Sequence, residues 1–132
     1  MTTILVPVRY PPAEHSFRTI ERGIEHIAED EDGYLIILHV YLIQHTKKVS
    51  RNELRDTVYR KFGELPAHFI VRSGYVLEEA IIDEAARQRV DRVVIGSKNR
   101  TVRRRIASLL GLWTDLETVL EHELDIEIET VE

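Results

Sequence analysis

Cysteine is absent from the 132 residues of this chain, which removes disulfides, thiolate catalysis and cysteine-based metal sites together. Long apolar runs are missing as well: no stretch approaches the roughly 20 residues of a membrane span. Met1 to Val8 also lacks the basic and apolar regions of a signal peptide. No membrane association is expected, and the cytoplasm is the default compartment. Positive charge is not in excess. The formal net charge of -5 argues against nucleic-acid binding, which needs a basic face. Low-complexity segments, interdomain linkers and internal repeats are lacking too. Hydrophobic residues at 43% and charged residues at 31% then describe one soluble globular domain over residues 1–132, built on a single core.

Several sites are excluded by missing motifs. There is no Gly-x-x-x-x-Gly-Lys-Ser/Thr loop, and no Gly-x-Gly-x-x-Gly follows the first strand. No Gly-x-Ser-x-Gly elbow surrounds Ser16, Ser73 or Ser97, so these serines are expected to cap helices. His15, His26, His45, His68 and His122 lack His-x-x-x-His spacing and are expected at the surface. Glu78-Glu79 and Asp83-Glu84 are spaced for solvent exposure on one helix. No metal site follows from these patterns.

Apolar residues alternate between short runs and helical periods, the pattern of repeated βα units on a parallel sheet. Five strands are expected: Ile4 to Val8, Leu35 to Val40, Phe69 to Val71, Val93 to Ile95 and Asp125 to Val131. The first four are continuous runs, as in strands covered on both faces, which gives a five-stranded parallel open sheet with helices on both faces. The fifth alternates, with Ile126 and Ile128 set against Glu127 and Glu129, and is expected at an edge with one wet face. Phe17, Ile20, Ile24 and Ile27 define the buried face of a first helix after Pro11-Pro12. Ser50-Arg-Asn-Glu53 is a capping box, Val49 and Leu54 are placed as a hydrophobic staple, and Leu54, Val58 and Phe62 form the inner face before a stop at Gly63. Leu77, Ile81 and Ala85 give a third helix. A fourth starts near Thr101 with Ile106, Leu109, Leu110 and Trp113 inward, and Thr114-Asp-Leu-Glu117, a second capping box, marks a break.

Charge is unevenly placed. From Gly96 to Arg105 there are five cations and no carboxylate, whereas Thr114 to Glu132 holds eight acids and no Lys or Arg. The basic block follows Asp91-Arg-Val-Val-Ile-Gly96, a strand that ends in a glycine turn whose backbone N–H groups suit an anion. Arginines in the first turn of a helix oppose its dipole. Two readings stand: Lys98, Arg100, Arg103 and Arg104 hold phosphate or another multivalent anion, or they fan into water and pair with acids elsewhere. His39 ends a central strand, where open α/β sheets place their ligand crevice, and is read as a hydrogen-bonded core histidine with a ligand role as the alternative. Tyr10, Tyr34, Tyr41 and Trp113 are candidates for an aromatic ligand wall, with core or dimer packing as the competing role of Trp113.

Thr3-Ile-Leu-Val-Pro-Val8, Leu38-His39-Val40, Gly74 before the third helix and Val94-Ile-Gly-Ser97 after it, in this order and spacing, resemble a universal stress protein along essentially the whole chain. The resemblance implies an α/β sandwich, usually homodimeric, in which some members bind ATP or AMP. Together with the basic block and the strand ends, it gives as nucleotide or anion candidates Pro7, Val8, Arg9, His39, Val40, Gly96, Ser97, Lys98, Asn99, Arg100, Arg103, Arg104 and Ser108. The family's ATP binders have an acid after the first strand, where this chain has Arg9. Their phosphate loop runs Gly-x-x-Gly, a spacer, then Gly with Ser or Thr; Gly96 matches, Asn99 replaces the second glycine, and Leu109-Leu110 replace the last pair unless Ser108 slips into register.

These departures lead to a non-enzymatic, stress-response regulatory dimer that lacks the family's usual ATP binding. The alternative is a sensor of AMP, ATP or a phosphate- or sulfate-like anion using Gly96 to Arg105, and a slow ATPase stands third, without a visible general base. A symmetric interface through Ile126, Ile128 and Val131 is expected, with Glu127 and Glu129 on its rim near the partner's basic loop.

Overall fold

The computed structural model describes residues 2–44, 48–96, 104 and 126–131. Chain order gives β1 (Thr3–Pro7), α1 (Glu14–Ala28), β2 (Tyr34–Leu42), α2 (Arg51–Phe62), β3 (Ala67–Gly74), α3 (Leu77–Arg87), β4 (Arg92–Gly96) and β5 (Glu127–Val131). The expected fourth helix lies outside the described residues apart from Arg104, which is helical and exposed. All described strands run parallel in the order β3-β2-β1-β4-β5. Connections step one way from β1 to β3 and then jump back across β1 to β4. This reversal opens a crevice at the carboxyl ends of β1 and β4, because their connecting segments leave toward opposite sides.

Each face of the sheet has its own apolar layer. Leu5, Ile36, Leu38, Val93 and Ile95 pack with Ile81, Ile82 and Ala85 of α3. Ile4, Val6, Leu35, Ile37 and Val94 pack with Ile20 and Ile27 of α1 and with Leu54 and Val58 of α2. Burying each of these aliphatic side chains contributes about 1.5 to 3 kcal/mol before entropy is counted. Since α1, α2 and α3 cover both faces of the central strands, those strands read as continuous apolar runs.

Helix ends follow local chemistry. The Glu53 amide donates to Ser50 Oγ at 3.1 Å, and Val49 and Leu54 are both buried beside it. Gly63 closes α2 at φ 77°, donating to the Tyr59 carbonyl at 2.7 Å; a side chain there would strain the left-handed backbone. In α1 the roles are reversed: the Ala13 amide donates to Ser16 Oγ at 3.2 Å. Ser73 does not cap α3. It lies within β3 opposite Tyr41, and Val76 begins the helix without a side-chain cap.

Two other expectations are corrected. Glu78 and Glu84 are buried, not solvated. Glu84 is drawn in by Arg72 of β3, whose Nη1 lies 3.2 Å from Glu84 Oε1 and 2.6 Å from Asp83 Oδ2, and by Gln88 Nε2 at 3.2 Å. The acidic face of β5 is wet at Glu127 but not at Glu129. Arg22 and His26 of α1 reach Glu129 at 2.5 and 2.6 Å, and Arg92 of β4 reaches it at 2.9 Å. Glu127, more exposed, pairs with Arg92 at 2.5 Å. Glu129 is therefore not a free rim residue, because α1 extends over the β4–β5 edge and brings Arg22 and His26 to it. Among the described residues no helix is long and apolar enough to cross a membrane.

Candidate functional site

A cleft of about 580 Å³ opens at the carboxyl ends of β1, β2 and β4, where the strand order reverses. Its apolar walls come from the strand ends, with Val8, Leu38, Val40 and Ile95, and from Leu77 and Ile81 at the start of α3. Its polar groups come from the β1–α1 connection and the first turns of α1. Arg9, Tyr10, His15, Ser16 and Thr19 line it, with His39 and Tyr41 of β2 opposite. No carboxylate is among the described lining residues.

His39 is buried, and its Nδ1 donates to the Val8 carbonyl at 3.0 Å. The carbonyl can only accept, so in the neutral ring Nε2 is left as an acceptor. The bond ties β2 to the chain leaving β1, beyond the Val8 amide bond to the Leu38 carbonyl at 2.8 Å. Tyr10 stands edge-on to the His39 ring at 6.2 Å between centroids. Its hydroxyl approaches Thr57 Oγ1 of α2 at 3.4 Å.

His15 is half-buried in the first turn of α1, with Arg18 Nη2 3.5 Å from its Nδ1. Its Nε2 is fully enclosed and has no hydrogen-bond partner among the described residues. The ring lies against Gly96: a Cβ at that position would overlap His15 Nε2, and would come within 2.7 Å of Cδ2. A side chain at position 96 would therefore force the His15 ring to move. Arg9 is exposed and makes no ion pair among the described residues. Among those residues no group of three or more His, Asp or Glu is placed to hold a metal ion.

Of the ligand residues expected from sequence, Pro7, Val8, Arg9, His39, Val40 and Gly96 come together in this cleft. Arg104 does not line it. Ser97, Lys98, Asn99, Arg100, Arg103 and Ser108 lie outside the described residues, as does Trp113. Tyr10 and Tyr41 form part of the wall, but Tyr34 sits at the other end of β2, bonded to His68 Nδ1 at 2.6 Å. His15 was expected at the surface. The signal that could have found it is its place in the first turn after β1, the turn that borders a crevice in a sheet of this order. Ile126 and Ile128 pack on the α3-side layer and Val131 on the α1-side layer, each remaining partly exposed.

Solved structures share this arrangement. A protein from the universal stress protein family from Burkholderia pseudomallei superposes with a TM-score of 0.61 at 12% identity, covering 98% of this chain and 95% of that one. The chain has the universal-stress-protein fold. A hypothetical protein, PH0823, superposes with a TM-score of 0.55 at 16% identity, covering 98% and 94% of the two chains. No protein-family model and no curated protein matches the sequence. At such identities the universal-stress fold is shared while side chains have been replaced nearly throughout, so ligand chemistry must be read from the cleft itself.

Proposed function

We propose that this chain is a regulatory, non-enzymatic binding protein of the universal stress type, which senses a small organic anion in the cleft. The observation that carries this reading is the cleft's composition: Arg9 and two imidazoles face apolar walls, with no described carboxylate among them. About 580 Å³ falls in the usual range of small-molecule sites, roughly 300 to 1,000 Å³, and suits a body of nucleoside size. Val8, Val40, Leu77 and Ile81 would enclose the apolar or planar part, while Arg9 would offer a guanidinium fork to a phosphate or carboxylate.

A metal-bound triphosphate fits this chemistry poorly. Magnesium prefers oxygen ligands, commonly including a carboxylate, and the described walls supply none. Arg9 also replaces the acid that ATP binders of the resembling family carry after β1. AMP or a similar monophosphate is the better probe. Isothermal titration with AMP, and with ATP with and without magnesium, tests the reading: AMP should bind without a metal requirement, and Arg9→Glu should weaken it. Low-micromolar affinity for Mg-ATP that depends on magnesium would overturn it.

The stress-response role draws support from the shared fold with the Burkholderia pseudomallei protein. Homodimerisation through β5 draws support from the residual exposure of Ile126, Ile128 and Val131 on an edge strand. Sedimentation velocity should find a dimer, and hydrogen exchange should slow in residues 126–131 as protein concentration rises. A monomer across the accessible concentration range would remove the dimer from the account.

A further inference from the structure

The two edges of the sheet are finished differently. At β5 the edge is five residues long and its acids are gripped by Arg22, His26 and Arg92. At the other edge, β3 runs for eight residues without proline and pairs only with β2 among the described residues. Long edges are usually shortened, charged or covered, because their unpaired amides and carbonyls template another strand.

The outer side of β3 lies instead in a groove of about 400 Å³, floored by His68 to Val71. Lys48 and Arg51 at the start of α2 form one wall, and Gln88 at the end of α3 contributes to the other. Among the described residues no Asp or Glu lines this groove, although the chain carries a net charge of -5. Lys48 and Arg51 are exposed and make no ion pair among the described residues. Beyond the carboxyl end of β3, Tyr75 is 74% exposed and Val76 41%. Ile43, 46% exposed, joins them through its amide bond to the Gly74 carbonyl at 2.9 Å.

We infer that the free edge of β3 docks an extended acidic segment of a partner protein by strand addition. The backbone of His68 to Val71 supplies the pairing, Lys48 and Arg51 attract the segment's carboxylates, and Tyr75 with Val76 and Ile43 takes an apolar side chain at one end. At roughly 3.3 Å per residue, His68 to Tyr75 spans about 23 Å, which sets the segment at seven or eight residues. A second copy presenting the same edge would bring Lys48 and Arg51 of each chain together, and like charges at a two-fold contact oppose that arrangement. The inference does not depend on the cleft or its ligand.

The probe is a fluorescein-labelled peptide that alternates Glu with Val and ends in Tyr, compared with its Lys-for-Glu counterpart by fluorescence anisotropy on the full chain. The acidic peptide should bind, the basic one should not, and added salt should weaken binding. Hydrogen exchange should slow at residues 68–71 in the complex. The double variant Lys48→Glu, Arg51→Glu changes only exposed side chains and should lower affinity roughly tenfold or more. No binding of the acidic peptide, equal binding of both peptides, unchanged affinity in the double variant, or protection away from β3 would each overturn the inference. Protection of residues 68–71 that rises with protein concentration alone would assign the edge to a second copy and overturn it as well.

Discussion

At the first turn of α1, His15 holds an enclosed Nε2 against Gly96 without a partner among the described residues, whereas three turns later His26 Nε2 meets Glu129 at 2.6 Å. Both histidines face the sheet from one helix. At the His26 end both described acids of β5 are paired: Glu129 meets Arg22, His26 and Arg92, and Glu127 meets Arg92. At the His15 end most polar groups are bonded, but His15 Nε2 has no partner and Arg9 makes no ion pair among the described residues. A buried polar atom without a partner costs about 1 to 3 kcal/mol, so a cleft that keeps one is poorly explained by stability alone. The charged clasp at β5 ties the edge strand to α1, and on the proposed reading the His15 end is where a ligand would bind.

The comparison breaks most severely if Gly96→Val is tolerated. Its Cβ alone would overlap the His15 ring, and the added methyls enlarge the clash. A loss of about 3 kcal/mol in urea unfolding is expected, together with a distorted cleft. Next in size is Glu129→Ala, which strips Arg22, His26 and Arg92 of their shared carboxylate and should cost about 2 kcal/mol. Stability unchanged by that substitution would mean the clasp at β5 is decorative.

Acid titration sharpens the same contrast. Burial pushes the Glu129 carboxyl up, but hydrogen bonds and charge from Arg22 and His26 outweigh it and leave the group below its ordinary value of 4.5. A carboxyl depressed in the folded state stabilises above its unfolded value, and that contribution is lost as pH falls below 4.5 toward the folded value. Unfolding free energy should therefore decline with acid in this window, and Glu129→Gln should flatten part of the decline. A parallel decline in both proteins would assign the acid sensitivity to other groups.

The smallest stability effect is expected at His15. Replacing the ring with Leu removes the enclosed Nε2 along with packing and the long contact to Arg18, so the net change should stay within about 1 kcal/mol. Ligand affinity should fall even so. A large loss of stability with unchanged binding would make His15 a packing residue and nothing more.

Much of the scaffold was legible because it rests on local rules. Continuous apolar runs marked strands covered on both faces, and Ser50 to Glu53 with Gly63 bounded α2 by capping chemistry alone. The cleft was legible in part: the strand ends Pro7, Val8, His39, Val40 and Gly96 follow from topology once the sheet is ordered. What stayed hidden depends on contacts across long separations. Glu129 looked like a solvated rim residue until Arg22, 107 positions earlier, came to lie over it. Glu84 looked exposed on its helix because nothing nearby announced Arg72 on β3. Gly96 was read as a turn for an anion, yet the atom that excludes a side chain there belongs to His15 on another element.

The central claim is that the cleft between β1 and β4 takes a small organic anion without a metal, and histidine NMR on the full chain tests it most directly. With AMP as the probe, the ring signals of His15 and His39 should shift together and saturably, those of His26 and His68 should stay in place, and magnesium should not tighten binding. Shifts confined to histidines outside the cleft, or a response that appears only with magnesium and ATP, would contradict the account.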